Sequence, residues 1–212
     1  MLSKLLKSTW TESVENTDIY KINIEEIGCT EFNAAYFLMS PERRTKCDAL
    51  KNADDKKRCI AADMLIRKAL SEILGLSEKE LKFGISDGGK PYLKNADCNF
   101  SISHSGKYVA AAVNRFVRVG IDIEKIKPVK AGIVRHIFTK NDTDYVFLGQ
   151  APVGLIEDGA VLERFFRVWT YKEAYVKMTG EGITDNVKSF SYDENKCFCE
   201  ISDGYCLSVI TE

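Results

Sequence analysis

Val119-Gly120-Ile121-Asp122-Ile123-Glu124 reads as a β-strand with one apolar and one acidic face. Side chains two apart on a strand point the same way, so Asp122 and Glu124 share a face while Val119, Ile121 and Ile123 take the other. Carboxylates that close repel each other unless a cation lies between them or one keeps its proton. By itself the pattern also suits an antiparallel strand with a solvated acidic face.

A second stretch, Trp169-Thr170-Tyr171-Lys172-Glu173-Ala174-Tyr175-Val176-Lys177, continues a helical pattern. Leu162, Phe165, Phe166 and Trp169 form an apolar stripe, and Glu173 is its next position. A glutamate there is costly to bury without compensation of its charge. Lys177 follows one turn later, so an intrahelical Glu–Lys pair is the simple reading. Such a pair contributes only ~0.3–0.5 kcal/mol and does not explain why the stripe continues. Three acids and a lysine brought together would hold a hard divalent cation against a phosphate, which points to phosphate-ester chemistry.

Outward from these stretches, residues 53–75 carry the clearest helical pattern. Ala62, Ile66, Ala69, Leu70 and Ile73 lie on one face, Asp54 and Asp55 near the start, and Gly75 at the end. Residues 82–86 predict a short strand and Asp87-Gly88-Gly89 a turn. Residues 99–104 predict a strand, and residues 108–113 and 116–124 a hairpin about Asn114-Arg115. A helix is expected around Ile133, Ile137 and Phe138, then a loop over 149–159 and a long helix to about Met178. Segments 189–192, 197–201 and 205–210 read as meander strands. Two successive helix-then-strand halves argue for an α+β fold and against a parallel βαβ sheet.

Bulk properties narrow the function classes. The 212 residues suit one medium domain or two small ones, and 45% hydrophobic with 29% charged content is ordinary for a globular protein. Thirty Lys and Arg against 31 Asp and Glu leave a net charge of -1, which gives no support for a general nucleic-acid binder. Any basic site is therefore local. The seven cysteines form no CxxC pair and read as free thiols in a reducing cytoplasm. The first residues lack the apolar core of a signal peptide, and no run approaches the ~20 apolar residues needed to span a bilayer.

Three further clusters carry chemistry. Gly88-Gly89-Lys90-Pro91 allows close backbone approach and offers a lysine to an anion, although a plain hairpin turn has the same composition. Ser101-Ile102-Ser103-His104-Ser105-Gly106 ends a predicted strand with a histidine among hydroxyls, suited to phosphate contact or to a sheet-margin hydrogen bond. It is no nucleophile elbow, because none of its serines has a glycine two positions away on both sides, as a GxSxG motif requires. His136 reads as a helix-surface residue. The basic runs Arg43, Arg44, Lys46 and Lys56, Lys57, Arg58 are ordinarily solvated helix faces.

In this order, Ser40-Pro41-Glu42-Arg43-Arg44-Thr45-Lys46-Cys47, Gly89-Lys90-Pro91, Phe100 to Gly106, Val119 to Glu124 and Trp169 to Lys177 resemble the 4′-phosphopantetheinyl transferases of the monomeric, two-lobed Sfp-like class. The resemblance implies an α+β protein of two similar, pseudo-twofold lobes, each a small antiparallel sheet packed with a long helix. Residues 1–118 would form the N-terminal lobe, with the adenosine and 3′-phosphate contacts and the GKP and SHSG segments. Residues 119–212 would carry the metal and catalytic residues. Coenzyme A would bind between the lobes, and its phosphopantetheine arm would move to a serine of an apo carrier protein, releasing adenosine 3′,5′-bisphosphate. Asp122, Glu124 and Glu173 would hold Mg²⁺, with Mn²⁺ as the possible substitute. Lys177 would contact phosphate, and Glu173 or a metal-bound water would take the serine proton; Asp122, Glu173 and Lys177 form the implied catalytic set. Lys90, Pro91, Ser103 and His104 would contact the coenzyme, with Arg43, Lys46 and Arg58 near its 3′-phosphate. Neither nucleic acid nor membrane is an implied partner, and a chain holding both halves of the site needs no second copy. Arg43 stands where a lysine is expected, and residues 149–159 are longer and more apolar than relatives imply. A coenzyme A or carrier-binding module without turnover, and a metal-dependent nucleotide pyrophosphate hydrolase, are the competing readings.

Overall fold

The computed structural model describes residues 10–14, 16–180 and 185–212. Among these, strands β1 (Trp10–Val14), β2 (Thr17–Asn23), β5 (Asn99–Ser105) and β6 (Tyr108–Asn114) form an antiparallel sheet in the order β1-β2-β6-β5. Helices α1 (Cys29–Leu38), α2 (Pro41–Asp48) and α3 (Ala53–Leu74) follow β2, and the hairpin β3 (Phe83–Ile85) and β4 (Pro91–Leu93) precedes β5. A second antiparallel sheet has the order β10-β11-β7, from β7 (Val119–Lys125), β10 (Phe198–Ser202) and β11 (Tyr205–Thr211). Between β7 and β10 lie the small ribbon β8 (Val129–Lys130) and β9 (Leu155–Ile156), with helices α4 (Val134–Ile137), α5 (Lys140–Phe147) and α6 (Gly159–Thr179). The architecture is α+β, with one long helix on each sheet.

Alternation explains the layers. Val109, Ala111 and Val113 of β6 face α3, which buries Ala61, Ala62, Leu65, Ile66, Ala69 and Leu70 against them. Ala110 and Ala112 face the other way, into a core shared with Ile19 and with Val119, Ile121, Ile123, Leu207 and Val209 of the second sheet. The sheets are thus joined back to back by apolar side chains, with α6 on the far side of β7 and β11. Gly120 permits that last contact: a Cβ there would lie 1.9 Å from the Ala174 carbonyl oxygen of α6.

Three expectations are corrected. Residues 108–113 and 116–124 do not form a hairpin, because β6 pairs with β2 and β5 whereas β7 pairs with β11. Asn114 diverts the chain: its Oδ1 accepts from the Phe116 and Val117 amides, and its Nδ2 donates to Thr17. Residues 189–192 are not a strand; Phe190 and Tyr192 pack on α6 through Tyr171 and Tyr175. The 149–159 loop contains β9, which pairs with Val129 and Lys130.

Candidate active site

β5 and β7 each lie at the margin of their own sheet and run side by side across the junction. Ser103 Oγ donates to Asp122 Oδ1 (2.7 Å) and Ser105 Oγ donates to Glu124 Oε2 (2.6 Å). Both bonds link residues 19 apart, so the strands run parallel and their polar faces climb in register. From above, α6 supplies Lys177, whose Nζ donates to Asp122 Oδ1 (2.6 Å) and Ser103 Oγ (2.8 Å). Asp122 is 2% exposed and its Oδ2 is buried without a hydrogen-bond partner.

Electrostatics bring Glu173 into the group. Its carboxyl is pushed up to about 7, first by burial and then by Asp122, with Lys177 pulling down and Glu124 adding to the rise. Glu124 is raised by burial, with the Ser105 hydrogen bond opposing. Three carboxylates therefore share one ammonium, an excess of negative charge that a protonated acid or a further cation must relieve. Glu173 is half-buried, like Trp169 one turn before it on the same face of α6. The buried arc is wide because β7 and β11 cover one flank of α6, while α5 and residues 187–192 cover another.

The expected three-carboxylate grip is not a ready-made cage: among the described residues, no three His, Cys, Asp or Glu side chains stand close enough to hold a metal by themselves. Lys177 and the two serines have taken one oxygen of each strand acid. The donor set still fits a hard dication, since every donor is a carboxylate oxygen and the buried Oδ2 of Asp122 is unpartnered. Mg²⁺ commonly takes one or two carboxylates and completes its shell from phosphates and water.

The other expected residues divide. Arg43 and Lys46, on α2 behind the Ser40 cap, line a cleft of about 640 Å³ with Lys82, Phe83, Pro91, Lys94, Phe100 and Ile102. Ile102 and Ser103 are consecutive on β5, so this cleft and the acids occupy opposite faces of one marginal strand. His104 is exposed beside them, its imidazole held below the usual range by burial of its surroundings and by Arg58 and Lys177. Arg58 does not line the cleft; it donates to the Gly106 carbonyl (2.6 Å) and pairs with Asp55. Lys90 is also drawn away, since its Nζ donates to the carbonyls of Met178 (2.9 Å) and Val119 (3.3 Å), tying the β3–β4 turn to the end of α6. Gly88 is required there, because a Cβ would fall 2.1 Å from the Gly180 carbonyl oxygen.

Two elements escaped sequence reasoning. Ser105 holds Glu124, and the period-two run Ser101, Ser103, Ser105 matching Asp122 and Glu124 is the signal that could have shown it. Lys172 is 1% exposed; its Nζ bonds the carbonyls of Val187 (2.7 Å) and Phe190 (2.6 Å) and lies 3.0 Å from Asp142 Oδ2. A lysine beside Glu173 carries no local mark of burial, because its partners lie 15 to 30 residues away.

Residues 28–115 match the family described as 4′-phosphopantetheinyl transferase, N-terminal, and residues 118–203 match the 4′-phosphopantetheinyl transferase superfamily. A 4′-phosphopantetheinyl transferase of Bacillus subtilis is 34% identical over 171 residues, covering 79% of this chain and 73% of its own. The 4′-phosphopantetheinyl transferase Sfp of Bacillus subtilis strain 168 is 31% identical over 193 residues, with 88% and 82% covered. The L-aminoadipate-semialdehyde dehydrogenase-phosphopantetheinyl transferase of Mus musculus is 26% identical over 180 residues, with 79% and 56% covered.

Proposed function

Because this chain belongs to the 4′-phosphopantetheinyl transferases of the Sfp type, we propose that it transfers the phosphopantetheine arm of coenzyme A to a serine of an apo carrier protein. The reaction is Mg²⁺-dependent and releases adenosine 3′,5′-bisphosphate. The observation that carries this reading is the Asp122–Lys177 ion pair with a buried, unpartnered oxygen on Asp122, close enough to Glu124 and Glu173 to raise both carboxyls.

Asp122 and Glu124, with Glu173, would hold the metal; when bound, it supplies positive charge to the pyrophosphate and its departing half. Lys177 contributes a second positive charge to the same phosphates. Arg43 and Lys46 bind the 3′-phosphate at the mouth of the cleft, and Phe83, Pro91 and Phe100 offer its adenosine an apolar wall. His104, neutral at pH 7, donates one hydrogen bond to the coenzyme without adding charge. A bond forms between the serine oxygen and the attacked phosphorus as the pyrophosphate P–O bond breaks. The serine proton passes to Glu173 acting as general base; its raised affinity for protons belongs to the site before a cation displaces that proton. Lys90 and Arg58 serve this reading as supports for the turns that frame the coenzyme, not as direct anion ligands.

Turnover separates this reading from its competitors. Coenzyme A incubated with the protein and Mg²⁺ yields adenosine 3′,5′-bisphosphate only when apo carrier is added. Release without carrier would indicate a hydrolase, and tight coenzyme binding without product in either mixture would indicate a binding module.

A pH dependence follows from Glu173. Below about 7 its carboxyl is protonated, and a cation must displace that proton to bind. Apparent Mn²⁺ affinity, read by electron paramagnetic resonance, should climb by up to about tenfold per pH unit below 7 and then level off. Glu173→Gln should bind Mn²⁺ more weakly and flatten the climb; an unchanged slope in that variant would remove Glu173 from the metal site.

A further inference from the structure

On the α6 side of the second sheet, behind the strand acids, two thiols face each other. Cys199 Sγ of β10 lies 3.8 Å from Cys206 Sγ of β11, and the Arg167 guanidinium of α6 donates to Cys199 Sγ at 3.3 Å. Cys206 is 0% exposed, whereas Cys199 is half-buried on a strand that, among the described residues, pairs only with β11. We propose that Cys199 and Cys206 are a peroxide-reactive pair that closes to a reversible disulfide across β10 and β11.

The chemistry of the pair assigns the roles. Hydrogen bonding from Cys206, then from Ser208, with the charge of Arg167, holds the Cys199 thiol below its usual range. Thiolate character beside a cation and access to solvent mark a reactive cysteine. Cys206 is pushed upward by its bond to Cys199 and by burial, so it remains the thiol. Cys197, two residues away, is pushed up to about 12 by burial, and its Sγ sits near the Asp193 carbonyl. Cys47 is likewise raised to about 11, mainly by burial, beside Cys59. A soft-metal site is not the reading, since among the described residues no third ligand completes one.

The Cys199 thiolate attacks one oxygen of a hydroperoxide: an S–O bond forms, the O–O bond breaks, and the departing oxygen takes up a proton as alcohol or water. The Cys206 sulfur then attacks the sulfenic sulfur. The S–S bond forms, the S–O bond breaks, and the Cys206 proton leaves with water. Two thiols together lose two electrons and two protons, and the hydroperoxide takes them. The register pairs Cys199 with Ser208 and Ile201 with Cys206, so the thiols are diagonal neighbours. Closing 3.8 Å to the ~2.05 Å of a disulfide therefore requires a shift of β10. A marginal strand of half-buried residues can make that shift, and the resulting bond is of the labile, reducible kind.

The full chain is treated with hydrogen peroxide, its remaining thiols are alkylated, and it is cut after Lys196 and Glu200, which separates Cys199 from Cys206. The expected product is peptide 197–200 joined to peptide 201–212, lighter than the two apart by two hydrogens and separated by dithiothreitol. Cys197→Ser should keep the link and Cys199→Ser should lose it. In Cys206→Ser, Cys199 should stop at the sulfenic acid and be trapped by dimedone. Full alkylation of Cys199 in peroxide-treated wild type, a link surviving in Cys199→Ser, or overoxidation of Cys199 without a link would each overturn the proposal. None of these readouts depends on transferase activity.

Discussion

Asp122→Asn lowers carrier loading by on the order of 10³ while the protein stays folded. Asparagine keeps the side-chain volume, and its oxygen can still accept from Ser103 and Lys177, the partners of Asp122 Oδ1. What disappears is the negative charge and the lone pairs of the buried Oδ2, which has no other partner. An amide nitrogen in that place offers hydrogens where a cation or a substrate-side donor would sit. The check is loading rate against thermal midpoint: a midpoint within a few degrees of wild type with the rate collapsed is the expected pair. Loading within tenfold of wild type would show that Asp122 does not act in the reaction. Asp122→Ala is the poorer test, because it also leaves the Lys177 ammonium and Ser103 without their acceptor.

The largest loss of stability is expected from Lys172→Ala. The ammonium of Lys172 and the carboxylate of Asp142 have side-chain exposures of 1% and 0%. Lys172 also bonds two carbonyls of the 187–190 segment and lies 4.6 Å from the centre of the Phe190 ring. Asp142 meanwhile accepts from the Thr139 and Tyr192 amides, so this one pair ties α6, the start of α5 and the following segment together. Burial lowers the lysine pKa and Asp142 opposes that fall. Removing one member strands a buried charge, at a cost of about 3–5 kcal/mol. For a chain of this length that is a fall of roughly 6–20 °C in Tm, measurable by calorimetry and urea titration. Lys172→Met combined with Asp142→Asn should recover part of the loss, since neither partner is then left charged. A loss below 1 kcal/mol in Lys172→Ala would contradict the assignment.

Much of this was legible in the chain because the deciding signals are local. The alternation in 119–124 marks β7 and places both acids on one face; the apolar recurrence from Leu162 onward marks α6; Asp54 and Asp55 at the start and the Gly75 stop bound α3. What was not legible depended on partners far away in sequence. Residues 108–124 look like a hairpin, yet the strands belong to different sheets because Asn114 bonds Thr17, 97 residues away. Gly89-Lys90-Pro91 looks like an anion-binding turn, and the chain does not reveal that Lys90 directs two of its three donors at the carbonyls of Val119 and Met178. The chain names candidate acids but not their state: whether Glu173 carries a proton depends on burial and on Asp122, neither of which periodicity reports.

The account rests most directly on what happens to an apo carrier protein. Incubated with this protein, coenzyme A and Mg²⁺, its intact mass should rise by one phosphopantetheine arm, on a single serine, and should stay unchanged with Asp122→Asn or without Mg²⁺. A broad panel of fatty-acid, polyketide and peptide-synthesis carriers that gained no mass, from folded protein that still binds coenzyme A, would contradict it.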